Sequence, residues 1–165
     1  MRELKDEVYT AQQNGDIAKL YVLEQRAQDE LNENELMRYY SNILELALER
    51  LTDVLEKKVR MDINDVQDFA TLRALYEYAI ENYSANSLSD ASALFEVLSG
   101  LSNDENFSSA MIMHKKSAQS GLSLDDFINK IADVDATQEA GSFYVCAFLD
   151  EAQNLLTDTK KPVEK

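Results

Sequence analysis

Hydrophobic residues recur at three- and four-residue steps along nearly the whole chain, the spacing of helices that bury one face. In "RELKDEVYTAQQNG", Leu4, Val8 and Ala11 share a face, Asn14-Gly15 supplies a left-handed stop, and Asp16 can cap the next helix. "DIAKLYVLEQRAQDEL" continues the period through Ile17, Leu20, Leu23 and Ala27, so a helical hairpin is predicted about Gly15. The longest periodic stretch runs from Glu35 to Arg60. Leu36, Tyr39, Tyr40, Ile43, Ala47, Leu51 and Val54 form its apolar arc, with Leu44, Leu48 and Leu55 widening it. Lys57, Lys58 and Arg60 close it with the positive charge that a helix C-terminus favours.

"MDIND" predicts a break, followed by a helix through Val66, Phe69, Leu72, Leu75, Tyr76, Ala79, Ile80 and Tyr83. Its apolar arc exceeds half the circumference, which suits the centre of a core. "SANSLS" at 84–89 is the softest linker and the expected subdomain boundary. Beyond it, "DASALFEVLSGL" and "ENFSSAMIMHKKSAQSG" read as helices, with Ser102 and Glu105 at capping-box spacing and Gly121 as terminator. "LSLDDFINKIADV" comes next, with Ser123 as its cap and Leu124, Phe127, Ile128 and Ile131 inward. A last helix is predicted from about Thr137 to Thr157. It contains "FYVCAFL", seven consecutive apolar residues that could form a strand but whose flanks favour helix by length.

These elements predict an all-α fold, a multi-helix bundle or stacked helical hairpins with seven to eight helices. Residues 1–158 are expected to form a single domain and 159–165 a disordered tail. The N-terminal hairpin looks superficially like one unit of a tetratricopeptide or ankyrin array, but no period of about 33 or 34 residues recurs. Composition strengthens the helical reading. Four glycines and one proline, Pro162, are too few to punctuate a sheet.

Charge narrows the partners. The net charge is −15; residues 1–60 carry −4, whereas 61–114 carry nine acids, one base (Arg73) and −8. That field disfavours direct nucleic-acid binding and anionic membrane surfaces, and would attract a basic protein. No run approaches a membrane span, the charged "MRELKDEVY" is no secretory signal, and one cysteine allows no internal disulfide, so a cytoplasmic location is expected.

His114 is the sole histidine, on a face with Phe107, Ala110, Met111 and Ala118. Copper, haem and di-iron sites need a second matched donor that the chain lacks, so no metal or cofactor is expected. His114 reads as a half-buried residue at the core edge. Cys146 lies in the most apolar run, where burial suppresses thiolate formation, so no nucleophile is predicted. Calcium-loop patterns starting at Asp133 and Asp62 fail at their glycine and glutamate positions.

The aromatic set is more informative: eight tyrosines and no tryptophan, several interleaved with acids. Tyrosine suits surfaces that are dry at one end and wet at the other. The partner-binding candidates are Tyr39, Tyr40, Tyr76, Tyr78, Glu81 and Tyr83. The function expected is a non-enzymatic acidic interaction module (an adaptor, chaperone or regulatory subunit) that binds a basic or amphipathic segment of another protein near Tyr76, Tyr78 and Glu81. Two alternatives are an acidic nucleic-acid mimic that inhibits a DNA-binding protein, and a helical enzyme or ligand binder using His114 and carboxylates. The run "FYVCAFL" could instead serve as a homodimer seam.

Overall fold

A computed structural model describes residues 3–160. Among these, ten α-helices are present, eight of them of seven residues or more, and no strand; the fold is all-α. The tail expected at 159–165 lies outside the described residues, apart from 159 and 160, which close the last helix. Contacts divide the chain into two compact units, Met1–Leu75 and Tyr76–Lys165. The division falls inside a helix, not in the linker at 84–89.

The first unit holds α1 (Leu4–Gln13), α2 (Ile17–Val22), α3 (Glu24–Glu30), α4 (Glu33–Lys57) and the first half of α5 (Val66–Ser84). Gly15, at φ +65, makes the turn that the sequence announces, and Asp16 caps α2 by accepting from the Lys19 amide at 3.0 Å. α1 and α2 pack on α4. Leu4, Ala11, Ile17, Leu20, Leu23 and Ala27 meet Tyr39, Ile43 and Ala47 in its core.

α4 starts on a reciprocal cap: Asn32 accepts from the Glu35 amide at 2.8 Å, and Glu35 accepts from the Asn32 amide at 3.0 Å. It ends at Lys57, three residues before the expected Arg60, because Lys58 adopts the left-handed conformation at φ +57. Its axis is about 37 Å long at 1.5 Å per residue. Polar links tie the base of α5 into this unit. Gln67 donates to Asp16 at 2.6 Å and accepts from the Ala18 amide at 3.2 Å, Asp68 pairs with Arg50, and Arg73 pairs with Glu24 at 3.0 Å while stacking on Tyr21.

The second unit holds the rest of α5 with α6 (Leu88–Leu101), α7 (Glu105–Gln119), α8 (Leu124–Asp126), a π-helical turn (Phe127–Ile131), α9 (Val134–Ala140) and α10 (Ala152–Lys160). Within the 84–89 segment only residues 85–87 leave the helices, in a tight turn: Asn86 is left-handed at φ +66, and the Ser87 amide reaches back to the Asn82 carbonyl. α6 and α7 pair as a hairpin. The cap of α7 is Asp104, which accepts from the Phe107 amide at 2.9 Å; Ser102 instead accepts from the Asp104 amide at 3.0 Å. Ser123 caps α8 as the sequence predicts, accepting from the Asp126 amide at 3.1 Å.

"FYVCAFL" corrects the sequence reading. It is not helical: Gly141, left-handed at φ +67, terminates α9, and residues 143–149 run as an irregular strap with Phe148 in an isolated bridge. A helix with seven apolar residues in a row has no polar side to give to water, whereas an extended chain rich in aromatic and β-branched residues can lie on a core. The strap bridges Ala132 to Phe148 in antiparallel fashion, with the Leu149 amide donating to Ile131 at 2.7 Å and the Asp133 amide to Ala147 at 2.9 Å. Elsewhere its amides are held by side chains. Thr137 Oγ1 accepts from Cys146 at 3.2 Å and Ala147 at 3.3 Å, and Tyr76 Oη accepts from Val145 at 3.1 Å.

Candidate functional site

His114 sits at the middle of the second unit, wholly buried, not half-exposed at the core edge. α7 brings it into a ring cluster whose centroids lie 4.7 Å (Phe127), 4.9 Å (Phe95), 5.3 Å (Tyr76) and 6.1 Å (Phe148) away. Both ring nitrogens are bonded. Nδ1 lies 2.6 Å from the Ala110 carbonyl, which can only accept, so Nδ1 carries the hydrogen. Nε2 therefore accepts from Tyr76 Oη at 2.8 Å. A chain of donors results, from the Val145 amide to Tyr76 and from Tyr76 to His114.

Burial among rings disfavours the imidazolium and lowers the His114 pKa to about 4, against a weaker upward pull from the Ala110 carbonyl. The same burial pushes the Tyr76 phenol up. This histidine is neutral near pH 7, and both its nitrogens are engaged inside the fold. It holds the strap to the helices and has no accessible surface from which to act on a ligand.

Cys146 is half-buried on the strap, its Sγ 4.0 Å from Thr137 Oγ1. It borders a cleft of about 770 Å³ that also touches Asn106, Ser109, Met113, Tyr144 and Leu156. Tyr144 is pushed up to about 12, chiefly by burial, with Asp104 and Cys146 adding to it. No cationic side chain lines this cleft among the described residues. Among the described residues, too, no group of three His, Cys, Asp or Glu side chains converges to hold a metal ion.

The six tyrosine and acid candidates are scattered. Tyr39 and Tyr40 belong to the first unit and Tyr76, Tyr78, Glu81 and Tyr83 to the second. Three are core residues with internally bonded hydroxyls: Tyr39 donates to the Leu20 carbonyl, Tyr76 joins His114, and Tyr83 lies 2.7 Å from Ser117 Oγ. Burial raises the pKa of each. A partner cannot reach them. Tyr40 is half-buried and donates to Glu24 at 2.7 Å while accepting from Gln28 at 2.9 Å. Tyr78 is half-buried and Glu81 exposed.

A site that the sequence does not single out lies on the first unit. Val22 (72% exposed), Val66 (67%) and Phe69 (42%) border one groove of about 520 Å³ between α2 and the start of α5. Ile63 and Tyr21 extend its apolar wall, and Arg73 stands in it, paired with Glu24. Exposed Asp62 and Asp65 flank the lining residues Ile63, Asn64 and Val66 along the chain. Val66 and Phe69 do lie on the predicted apolar arc of their helix. Sequence periodicity marks a face as apolar without saying that a partner element is missing from it.

Compared with protein-family models, curated proteins and solved structures, the chain matches none. No helix among the described residues is long and apolar enough to cross a membrane.

Proposed function

We propose that this protein is a non-enzymatic interaction module that seats a basic, amphipathic segment of another protein in the groove between α2 and α5. The observation that carries this reading is the convergence of Val22, Val66 and Phe69, all large and exposed, on one concave surface. Contiguous exposed apolar surface of this kind marks binding sites. Asp62, Asp65 and the net charge of −15 select a cationic flank on the ligand. The groove replaces the neighbourhood of Tyr76, Tyr78 and Glu81 as the docking place, because Tyr76 is in the core.

Burying a valine contributes roughly 1.5 kcal/mol, and an aspartate in its place adds the cost of desolvating a charge. Val22→Asp and Val66→Asp should each weaken binding tenfold or more. The probe is a fluorescein-labelled 18-residue leucine–lysine helical peptide, followed by anisotropy. Tyr78→Ala and Glu81→Lys should leave its affinity nearly unchanged. Equal affinity for the native chain and the Val22→Asp/Val66→Asp double variant would reject the groove, since nonspecific attraction to an acidic protein ignores valines.

A further inference from the structure

α4 carries two apolar stripes, and the fold uses only one. At about 100° per residue with Ile43 as origin, Tyr39, Ile43 and Ala47 cluster within roughly 40° of zero. These three are buried. Leu51, Leu44, Met37, Leu55 and Leu48 fall between roughly 80° and 140°, on the adjoining side. Met37 is 65% exposed, Leu55 54% and Leu48 37%, while Leu44 and Leu51 are half-buried. The positions 37, 41, 44, 48, 51 and 55 alternate steps of four and three, the seam spacing of a coiled coil, with Ser41 the one polar member.

We infer that this stripe is the seam of an antiparallel homodimer, in which α4 of one chain lies along α4 of a second copy. The charges at the ends of the stripe decide both the partner and its direction. Glu33 begins the stripe on its own side of the helix at roughly 80°, and Lys58 follows its last turn. An antiparallel register that sets Met37 against Leu55 and Leu44 against Leu48 also brings Glu33 of one chain to Lys58 of the other. A parallel pair would set Glu33 against Glu33 and Lys58 against Lys58, with both helix dipoles aligned. The self-complementarity is that of an isologous, two-fold contact.

Size sets the expected strength. Met37 to Leu55 spans about 27 Å, and a helix is about 10–12 Å across, so each chain contributes a footprint of roughly 300 Å². That is well under half of the roughly 800 Å² per partner of a standard interface, so the association is weak and reversible. It uses a different face from the proposed groove and does not depend on it.

Sedimentation velocity between 1 and 300 μM should show a reversible monomer–dimer equilibrium. Leu48→Lys and Leu55→Lys, at positions already open to solvent, should leave helicity unchanged by circular dichroism and weaken the dimer at least tenfold. Direction is read by crosslinking in a Cys146→Ser background. Mixed Met37→Cys and Leu55→Cys chains should form a disulfide between the two variants, and each variant alone should not. Glu33→Lys and Lys58→Glu should each weaken association, and together restore it. A chain that stays monomeric at 300 μM, a dimer indifferent to Leu48→Lys and Leu55→Lys, or 37-to-37 crosslinks would each overturn the proposal.

Discussion

Lowering the pH tests the buried His114 directly. Its pKa is about 4 in the folded protein and about 6.5 in an unfolded chain. Above pH 6.5 both states hold a neutral ring and the residue adds no pH dependence. Between pH 6.5 and 4 the unfolded chain binds a proton that the folded chain refuses, so stability falls with falling pH. Below pH 4 both states are protonated and the contribution levels off. The span of 2.5 units corresponds to about 3 kcal/mol, of which roughly 2 kcal/mol is lost between pH 7 and 4.5. Carboxylates titrate in the lower part of this window, so a reference is needed. His114→Gln keeps a hydrogen-bond acceptor opposite Tyr76 but cannot titrate. It should lower stability at pH 7 through poorer ring packing, yet lose roughly 2 kcal/mol less than the native chain on going to pH 4.5. Urea unfolding at pH 7.0, 6.0, 5.0 and 4.5 measures both curves. Because the chain has one histidine, its ring resonance can be followed without ambiguity and should stay neutral at pH 5. Parallel stability curves, or a ring that titrates near 6.5, would refute the enclosure described for His114.

Two further predictions concern the strap. Thr137→Val preserves shape but takes away the oxygen that receives the Cys146 and Ala147 amides. It should cost about 2 kcal/mol and accelerate hydrogen exchange at those two amides more than in α6 or α7, as measured by NMR. Gly141→Ala must hold a Cβ at φ +67, where nothing nearby clashes but the backbone itself is strained. A loss of about 1 kcal/mol in urea unfolding is expected, with no change in the helices.

Local signals carry much of the architecture into the sequence. Gly15 and Asp16 announce the first hairpin, Ser123 announces its cap, and the three-four periodicity places α4 and α5 within a few residues of their observed ends. Signals that depend on distant residues are not legible there. His114 reads as peripheral because nothing local indicates that Tyr76, 38 residues away, and Phe148 close over it. The strap reads as helix because seven apolar residues satisfy both periodicities. Its non-helical course is set by Gly141 before it, and by the oxygens of Thr137 and Tyr76, the latter 69 residues from Val145. The tyrosines are as amphipathic as expected, but Tyr39, Tyr76 and Tyr83 turn their hydroxyls toward internal acceptors rather than toward water. On α4, one periodic pattern serves two faces, and composition cannot say which of them the chain itself covers.

The way the strap is fastened has a bearing on how this protein would fail. Because residues 145–147 are fastened by a phenol, a threonine hydroxyl and one backbone bond from Asp133, their release would not require any helix to unwind. Such a partial opening would bring the rings of Phe127 and Phe148 to the surface well before global unfolding. A protease or a chaperone would then meet a sticky, locally loosened molecule whose helical content is almost unchanged.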